Sequence, residues 1–433
     1  MSTTIIRNGR VIDPANKRDE IADLLIVDGK IAAQSAIHEE FTSRGGQPEI
    51  EEIDAKGLIV APGLIDMHVH LREPGFSHKE TIESGARAAA AGGFTTIVCM
   101  PNTAPVPDNP GTIAWIKNRA STISRVNVLA TGAISKNLAG EELAPIGSLA
   151  QAGVVAITDD GHCIQNNEVM RRAVEYARMV DLPVLDHCQD YNLVGNGVVH
   201  EGYWSTLLGI PGWPAAGEEA IVMRNILLAE LCDHPIHCQH ISTAGSVRLI
   251  REARARGVKI SGEVCPHHIA LTDEAIQNFD TNYKVNPPLR SQRDVDALLE
   301  GIADGTLSIL CSDHAPHADF EKEVEFDVAP FGIIGLETEL GLFIDLLMHK
   351  HGKIDIARLI EMYTVEPARL LKLDAGTLSP GSRADVTLID PALKWTVSVD
   401  QFQSTSRNSP FDGWELKGRA VRTIVGGKTA WKL

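Results

Sequence analysis

Near both ends of the chain apolar and polar residues alternate singly, whereas between them short unbroken apolar runs are separated by longer stretches of helical periodicity. Residues 3 to 60 read TTIIRNGRVID, ADLLIVDGKIAAQ and EEIDAKGLIV, with Asn-Gly and Asp-Gly at the turns. Single alternation sends successive side chains to opposite faces, and those dipeptides accept the positive φ of a tight hairpin, so short antiparallel strands are expected. The same texture returns at 376 to 433, in GTLSPGSRADVTLID, KWTVSV and AVRTIVGGKTAWKL. The two ends are expected to build one small β-sandwich module from residues 1–62 and 376–433.

Eight β-rich runs fill the middle: LIDMHVH (64–70), TTIVCMP (95–101), VNVLATGAI (126–134), VAITDD (155–160), PVLDHCQ (183–189), PIHCQHIS (235–242), KISGEVCPHH (259–268) and LSILCSD (307–313). Unbroken apolar runs suit strands buried on both faces of a parallel sheet. Helical segments follow several of them: KETIESGARAAAAGG, EVMRRAVEYARMV, GEEAIVMRNILLAELC and AGSVRLIREARARG, rich in Ala, Leu, Glu and Arg. Eight βα units is the number that closes a (β/α)8 TIM-like barrel, so the α/β class is predicted, with the barrel at residues 63–375.

Polar residues at the ends of these runs change the picture from scaffold to chemistry. His68 and His70 are two apart in one strand and point to the same face. Asp160 closes run four, His187 and His240 lie in runs five and six, and Asp313 closes run eight. Any one of them could be a satisfied core residue or a helix cap. Six ligand-type groups aimed at one barrel mouth are costly to bury without a cation, and such barrels carry their active sites at that rim. Four imidazoles and two carboxylates exceed the needs of one tetrahedral zinc, so two Zn2+ ions bridged by Asp160 and hydroxide are expected. Hydroxide is then available near neutral pH as the nucleophile, and Asp313 beside it is the expected general base and acid. Asp159, one residue before Asp160, reads as an inward or capping partner, and His162, His237, His267, His268 and His314 read as structural.

Composition narrows the partners. Forty basic and 57 acidic residues give a formal charge of −17, which disfavours nucleic acid and anionic membranes. An anionic substrate must then be held by a local cation. The seven cysteines form no C-x-x-C pair and mostly lie in apolar runs, so they read as reduced, buried thiols. The start, MSTTIIRNGRVIDPANK, lacks a basic stretch followed by an apolar one, and no run approaches a membrane span, which predicts a cytoplasmic enzyme acting on a small molecule.

HVHLREPG (68–75), MPNT (100–103), TDDG (158–161), NPPLR (286–290), SDHAPH (312–317) and SPFDGWELKG (409–418), in this order, resemble type I dihydroorotases of the amidohydrolase superfamily, and the resemblance covers nearly the whole chain. It implies reversible cyclisation of N-carbamoyl-L-aspartate to L-dihydroorotate, a step of pyrimidine biosynthesis. It carries the metal ligands onto the six residues named above. It implies that Arg72 and Asn102 hold the substrate carboxylate, with His70, Asn286, His317 and the backbone at Phe331 and Gly332 around the ring. A homodimer, and in some members a complex with aspartate carbamoyltransferase, are implied as partners. The residues alone leave plainer readings open: Arg72 points with His70 only if the strand continues, and Asn102 and Asn286 could be turn residues.

Hydantoinases, dihydropyrimidinases and type II dihydroorotases bridge their metals with a carboxylated lysine at the end of strand four. The corresponding segment here, GVVAITDDG (153–161), has no lysine, which favours the type I reading. Two positions depart from the family pattern: Gln189 stands where Glu is common, and Glu366 where Asn is common. The alternatives are an allantoinase- or hydantoinase-like cyclic-amide hydrolase, and an inactive scaffold that binds aspartate carbamoyltransferase. The glycine-punctuated stretch 325–341 is the candidate substrate-covering loop.

Overall fold

The computed structural model describes residues 3–33 and 50–433, so parts of the expected N-terminal module, residues 1–2 and 34–49, lie outside the described residues. The chain is of the α/β class. Parallel strands Leu64–Val69, Phe94–Cys99 and Asn127–Ala130 form one sheet, and Val184–Asp186, Ile236–Cys238, Ile260–Val264 and Ile309–Leu310 form another. Isolated parallel bridges join them: Ile157 pairs with Gly132 on one side and Val184 on the other, and His314 pairs with Val69. The eight segments therefore lie side by side in chain order, with the last against the first.

The run at 155–160 is the exception to the strand expectation, since only Ile157 pairs. Its neighbour Asp159 explains part of this. The Asp159 carboxylate accepts the Ile134 and Ser135 amides at 2.7 and 3.0 Å, so a side chain takes donors that a longer ladder would have used. Met67, Val98, Ala156, Leu185 and Ile309, each from a different parallel segment, pack in a single buried cluster. Helices Ile82–Gly92, Asn167–Met179, Ala216–Cys232 and Ala244–Ala255 form where their sequence predicts. Three of them start on side-chain caps from Thr81, Asn166 and Thr243, each accepting a first-turn amide.

Strands from both chain ends share one eight-stranded sheet, in which Val386–Thr396 pairs antiparallel with Ile59–Pro62. The pieces expected separately around 376–399 merge into Val386–Thr396, broken by a register shift between Asp390 and Lys394. Ile6, Val11, Leu24, Val60, Val386 and Ile424 form its core. Thr387 and Thr423 hydroxyls donate to the carbonyls of Gly93 and Ala90 at 2.7 Å, tying this sheet to the end of helix Ile82–Gly92. No helix among the described residues is long and apolar enough to cross a membrane.

Candidate active site

The six residues expected as ligands meet at the ends of the parallel segments. Strand Leu64–Val69 carries His68, and His70, His187, His240 and Asp313 lie just past the ends of their strands. His240 and Asp313 hold φ of 33° and 47°, conformations that cost a residue with a Cβ and persist where surrounding structure imposes them. Asp160 sits between the imidazoles: its Oδ1 is 3.3 Å from His68 Nε2, 3.6 Å from His240 Nε2 and 3.7 Å from His187 Nδ1, and its Oδ2 is 3.4 Å from His70 Nε2. Asp313 Oδ1 lies 3.0 Å from His70 Nε2 and 3.5 Å from His68 Nε2.

These separations decide between direct bonding and a shared ion. Donors bound tetrahedrally at about 2.0–2.1 Å lie roughly 3.3 Å apart, whereas an N–H···O bond spans about 2.7–3.2 Å. Most of the spacings around Asp160 and His68 match the first. The His70–Asp313 pair, and His187 Nδ1 to His240 Nε2 at 2.8 Å, match the second. His68 Nε2 and Asp160 Oδ1, which face each other across the cluster, are buried and have no hydrogen-bond partner among the described residues. Orphaned lone pairs of this kind are expected where a cation completes the set. Among the described residues four triads have donor atoms close enough to hold a metal, and two of them, His68–Asp160–His240 and His68–His70–Asp313, consist entirely of the expected ligands; the others are His68–Glu263–Cys311 and Cys265–His267–His268.

Partners behind the rings fix which nitrogen is presented. Glu263 Oε1 accepts from His68 Nδ1 at 2.6 Å, Asn102 Oδ1 from His70 Nδ1 at 2.8 Å, and Gln189 Oε1 from His187 Nε2 at 2.9 Å. Each bond leaves the opposite ring nitrogen facing the cluster. Glu263 also meets His237 Nε2 at 3.1 Å. Burial alone would strip His68 of its proton, but the carboxylates of Asp160, Glu263 and Asp313 raise its pKa well above the ordinary value. Burial likewise opposes charge on Asp160, yet the surrounding histidines hold its pKa well below the usual carboxylate range. The carboxylates thus favour positive charge at His68, whereas burial dominates at His70 and lowers its pKa.

A cavity of about 150 Å³ opens beside this cluster, lined by His70, Arg72, Asn102, Asp160, His187, His240, Asn286, Asp313, His317, Phe331 and Gly332, together with Gly161 and Ala315. All the residues expected to contact substrate line it, and His68 alone of the expected ligands lies beneath. Arg72 reaches the cavity by a turn rather than by strand continuation: the strand ends at Val69 and Arg72 has φ of 60°. Its Nε donates to Pro316 O at 3.2 Å, its one side-chain bond among the described residues, which leaves both terminal nitrogens for a ligand. Asn286 Oδ1 is buried and has no hydrogen-bond partner among the described residues.

The expected backbone contacts at Phe331 and Gly332 are partly committed. Gly332 N–H donates to Lys284 O at 2.9 Å, Phe331 O accepts from His317 Nε2 at 2.8 Å, and Gly332 O accepts from Asn408 Nδ2 at 3.1 Å. Each carbonyl keeps one lone pair for substrate. Glu263 and Asn408 are functional neighbours that the sequence reading missed. Glu263 lies two residues before Cys265 inside an apolar run, and Asn408 precedes SPFDGWELKG some 90 residues beyond the rim it supports.

Of the remaining histidines, His314 bonds Glu80 at 3.2 Å and His268 Nε2 bonds Pro287 O at 2.9 Å, while His267 Nε2 and His268 Nδ1 are buried without a hydrogen-bond partner among the described residues. His267 and His268 lie in a short helix, His267–Ala270, rather than in the strand expected there. All seven cysteines are free and buried, and Cys188 and Cys238 face Asn225 rather than the ring nitrogens.

A family model for dihydro-orotase-like proteins matches residues 57–246. Among solved structures, an L-hydantoinase (dihydropyrimidinase) from Arthrobacter aurescens superposes with a TM-score of 0.87 at 26% identity, covering 100% of this chain and 96% of that one. A D-hydantoinase from Bacillus sp. AR9 gives 0.84 at 25% identity, over 99% of this chain and 95% of its own. Sequence likeness to curated dihydroorotases is much stronger: 51% identity with that of Pelotomaculum thermopropionicum, over 98% of this chain and 97% of the relative. With the dihydroorotase of Syntrophotalea carbinolica identity is 49% over 429 residues, 99% of both chains, and this chain belongs to the dihydroorotase family.

Proposed function

We propose that this dihydroorotase-family enzyme is of type I and folds as a (β/α)8 barrel at 63–375 with a β module from both termini. It catalyses the reversible, zinc-dependent cyclisation of N-carbamoyl-L-aspartate to L-dihydroorotate. The observation that carries the reading is a guanidinium with two uncommitted nitrogens, Arg72, lining the same cavity as Asp160 and Asp313. An anion anchor beside metal-type ligands suits a ring that bears a carboxylate. Residues 153–161 contain no lysine to carboxylate, so Asp160 is the carboxylate that would be shared if two metals are held there.

His68, His70, Asp160, His187, His240 and Asp313 would hold two divalent cations, and the mixed nitrogen and oxygen donor set suits zinc. Bound there, such a cation polarises the amide carbonyl and brings the pKa of a water to about 7. The rest is done by side chains. Burial would protonate Asp313, but the charges of His68 and His70 hold its carboxyl below the usual range, so it is ready as a base. Asp313 takes a proton from the attacking water and returns it to the departing ring nitrogen; in cyclisation the order reverses. The Arg72 fork and Asn102 Nδ2 hold the carboxylate, and Asn286 Oδ1 accepts a ring N–H. Asn102 has its oxygen on His70, so its amide nitrogen is the end free for substrate.

Zinc-loaded protein assayed with dihydroorotate, carbamoyl aspartate, hydantoin and allantoin tests this. Turnover of the first pair at rates far above the second is the expected result. Preference for hydantoin or allantoin, or no turnover of any of the four, would overturn it.

A further inference from the structure

Two lysines that the proposed chemistry does not use, Lys284 and Lys322, are 2% and 6% exposed. A buried ammonium is costly unless paired, and these two face carbonyl oxygens rather than carboxylates. Lys284 Nζ donates to Phe326 O at 2.8 Å and Asp327 O at 2.9 Å. Lys322 Nζ donates to Thr281 O at 3.0 Å and Pro330 O at 2.8 Å, and its own carbonyl accepts from Thr281 Oγ1 at 2.7 Å. Two strands of loop, 281–284 and 322–332, are thereby cross-braced in both directions.

This brace ends at the cavity. Lys284 Nζ lies 4.7 Å from the centroid of the Phe331 ring, which also meets the Trp213 ring in a T-shaped contact with centroids 6.1 Å apart. Lys284 O accepts the Gly332 amide, and Asn286 follows two residues later. Phe331, Gly332 and Asn286 all line the cavity. The glycine-punctuated stretch that the sequence marked as a covering loop thus carries three carbonyls aimed at buried ammonium groups.

We propose that Lys284 and Lys322 are positioning residues for substrate: by pinning the Phe326–Pro330 backbone they hold the Phe331–Gly332 wall and Asn286 at the spacing that the substrate ring requires. Loss of either ammonium leaves two carbonyls without their donor and frees the wall, which weakens ring binding while leaving the rim groups that perform proton transfer in place. Burial draws the pKa of Lys284 down to about 8 and that of Lys322 to about 7, and no carboxylate hydrogen-bonds either ammonium among the described residues to offset it.

This inference rests on the dihydroorotase reading, and the test separates the two. Lys284→Met and the milder Lys322→Gln are compared with wild type in the zinc-loaded full chain, by steady-state kinetics with dihydroorotate and by amide hydrogen exchange over 325–332. Expected are a 5- to 20-fold rise in KM with kcat within about threefold, and faster exchange confined to 325–332 and 281–286. A purely structural role predicts a lowered active fraction, hence lower kcat at unchanged KM, and that result overturns the proposal. Unchanged exchange at 325–332 overturns it as well. If Lys284→Met does not fold, Lys322→Gln alone decides by the same two readouts. If wild type itself fails to turn over dihydroorotate, the functional reading fails, while the exchange result still decides whether the lysines hold the wall.

Discussion

Replacing Arg72 by methionine is expected to cost substrate affinity in proportion to the carboxylate contacts it removes. Methionine keeps an unbranched stem in a residue only 9% exposed, and it inherits the same backbone φ of 60°, so backbone strain changes little. What is lost inside the protein is one bond, Nε to Pro316 O at 3.2 Å. What is lost toward substrate is a two-pronged, charge-assisted contact, each prong worth about 1.5–3 kcal/mol. Water entering the vacated space recovers part of this, leaving a net loss of about 3 kcal/mol, or roughly 150-fold in kcat/KM. Most of it should appear in KM, because the carboxylate is bound alike in ground and transition states. Arg72→Lys retains charge without the fork and should fall between. The control is a cyclic ureide without a carboxylate: any slow turnover of hydantoin should be equal in wild type and Arg72→Met. An unchanged KM for dihydroorotate, or an equal loss on hydantoin, refutes the assignment.

Asp313→Ala should lower kcat by about 10²–10⁴-fold while the protein keeps bound metal, measured by plasma emission on the desalted chain; near-normal turnover contradicts the proton-transfer role. Glu263→Gln removes the carboxylate behind His68 and His237, and should weaken zinc affinity by about 10–100-fold in a competition titration with a chromophoric chelator. Affinity equal to wild type would mean that His68 is oriented by something else. Burial holds the His267 pKa down to about 4, below the unfolded value near 6.5, so the unfolded chain takes up a proton that the folded chain refuses between those pH values. Above pH ~6.5 this group costs nothing; below it, stability falls by about 1.4 kcal/mol per pH unit until the folded group titrates. His267→Gln should therefore flatten the decline of urea midpoints between pH 6.5 and 4 relative to wild type, and parallel declines would refute it.

The rim was legible because its residues break a pattern. His68, His70, Asp160 and Asp313 interrupt or end apolar runs that would otherwise continue, and burying such groups needs a reason that sequence alone suggests. Helices with strong periodicity, such as Asn167–Met179, were equally plain. What stayed hidden depends on distance along the chain. Glu263 reaches His68 across 195 positions, and Asn408 reaches Ala315 and Gly332 across 93 and 76. Neither residue type at those places predicts its partner. Arg72 was placed by a turn with positive φ, which period-two reasoning does not see. The short pairing at Ile157 was missed because Asp159 spends its carboxylate on Ile134 and Ser135, a choice made by tertiary neighbours.

Anomalous scattering at the zinc absorption edge, from crystals of the zinc-loaded chain, tests the proposed two-metal centre most directly. Two peaks are predicted, one within bonding distance of His68 and His70 and one within bonding distance of His187 and His240, with Asp160 touching both. Peaks elsewhere, or none within about 2.5 Å of any of those side chains, would contradict the proposed centre.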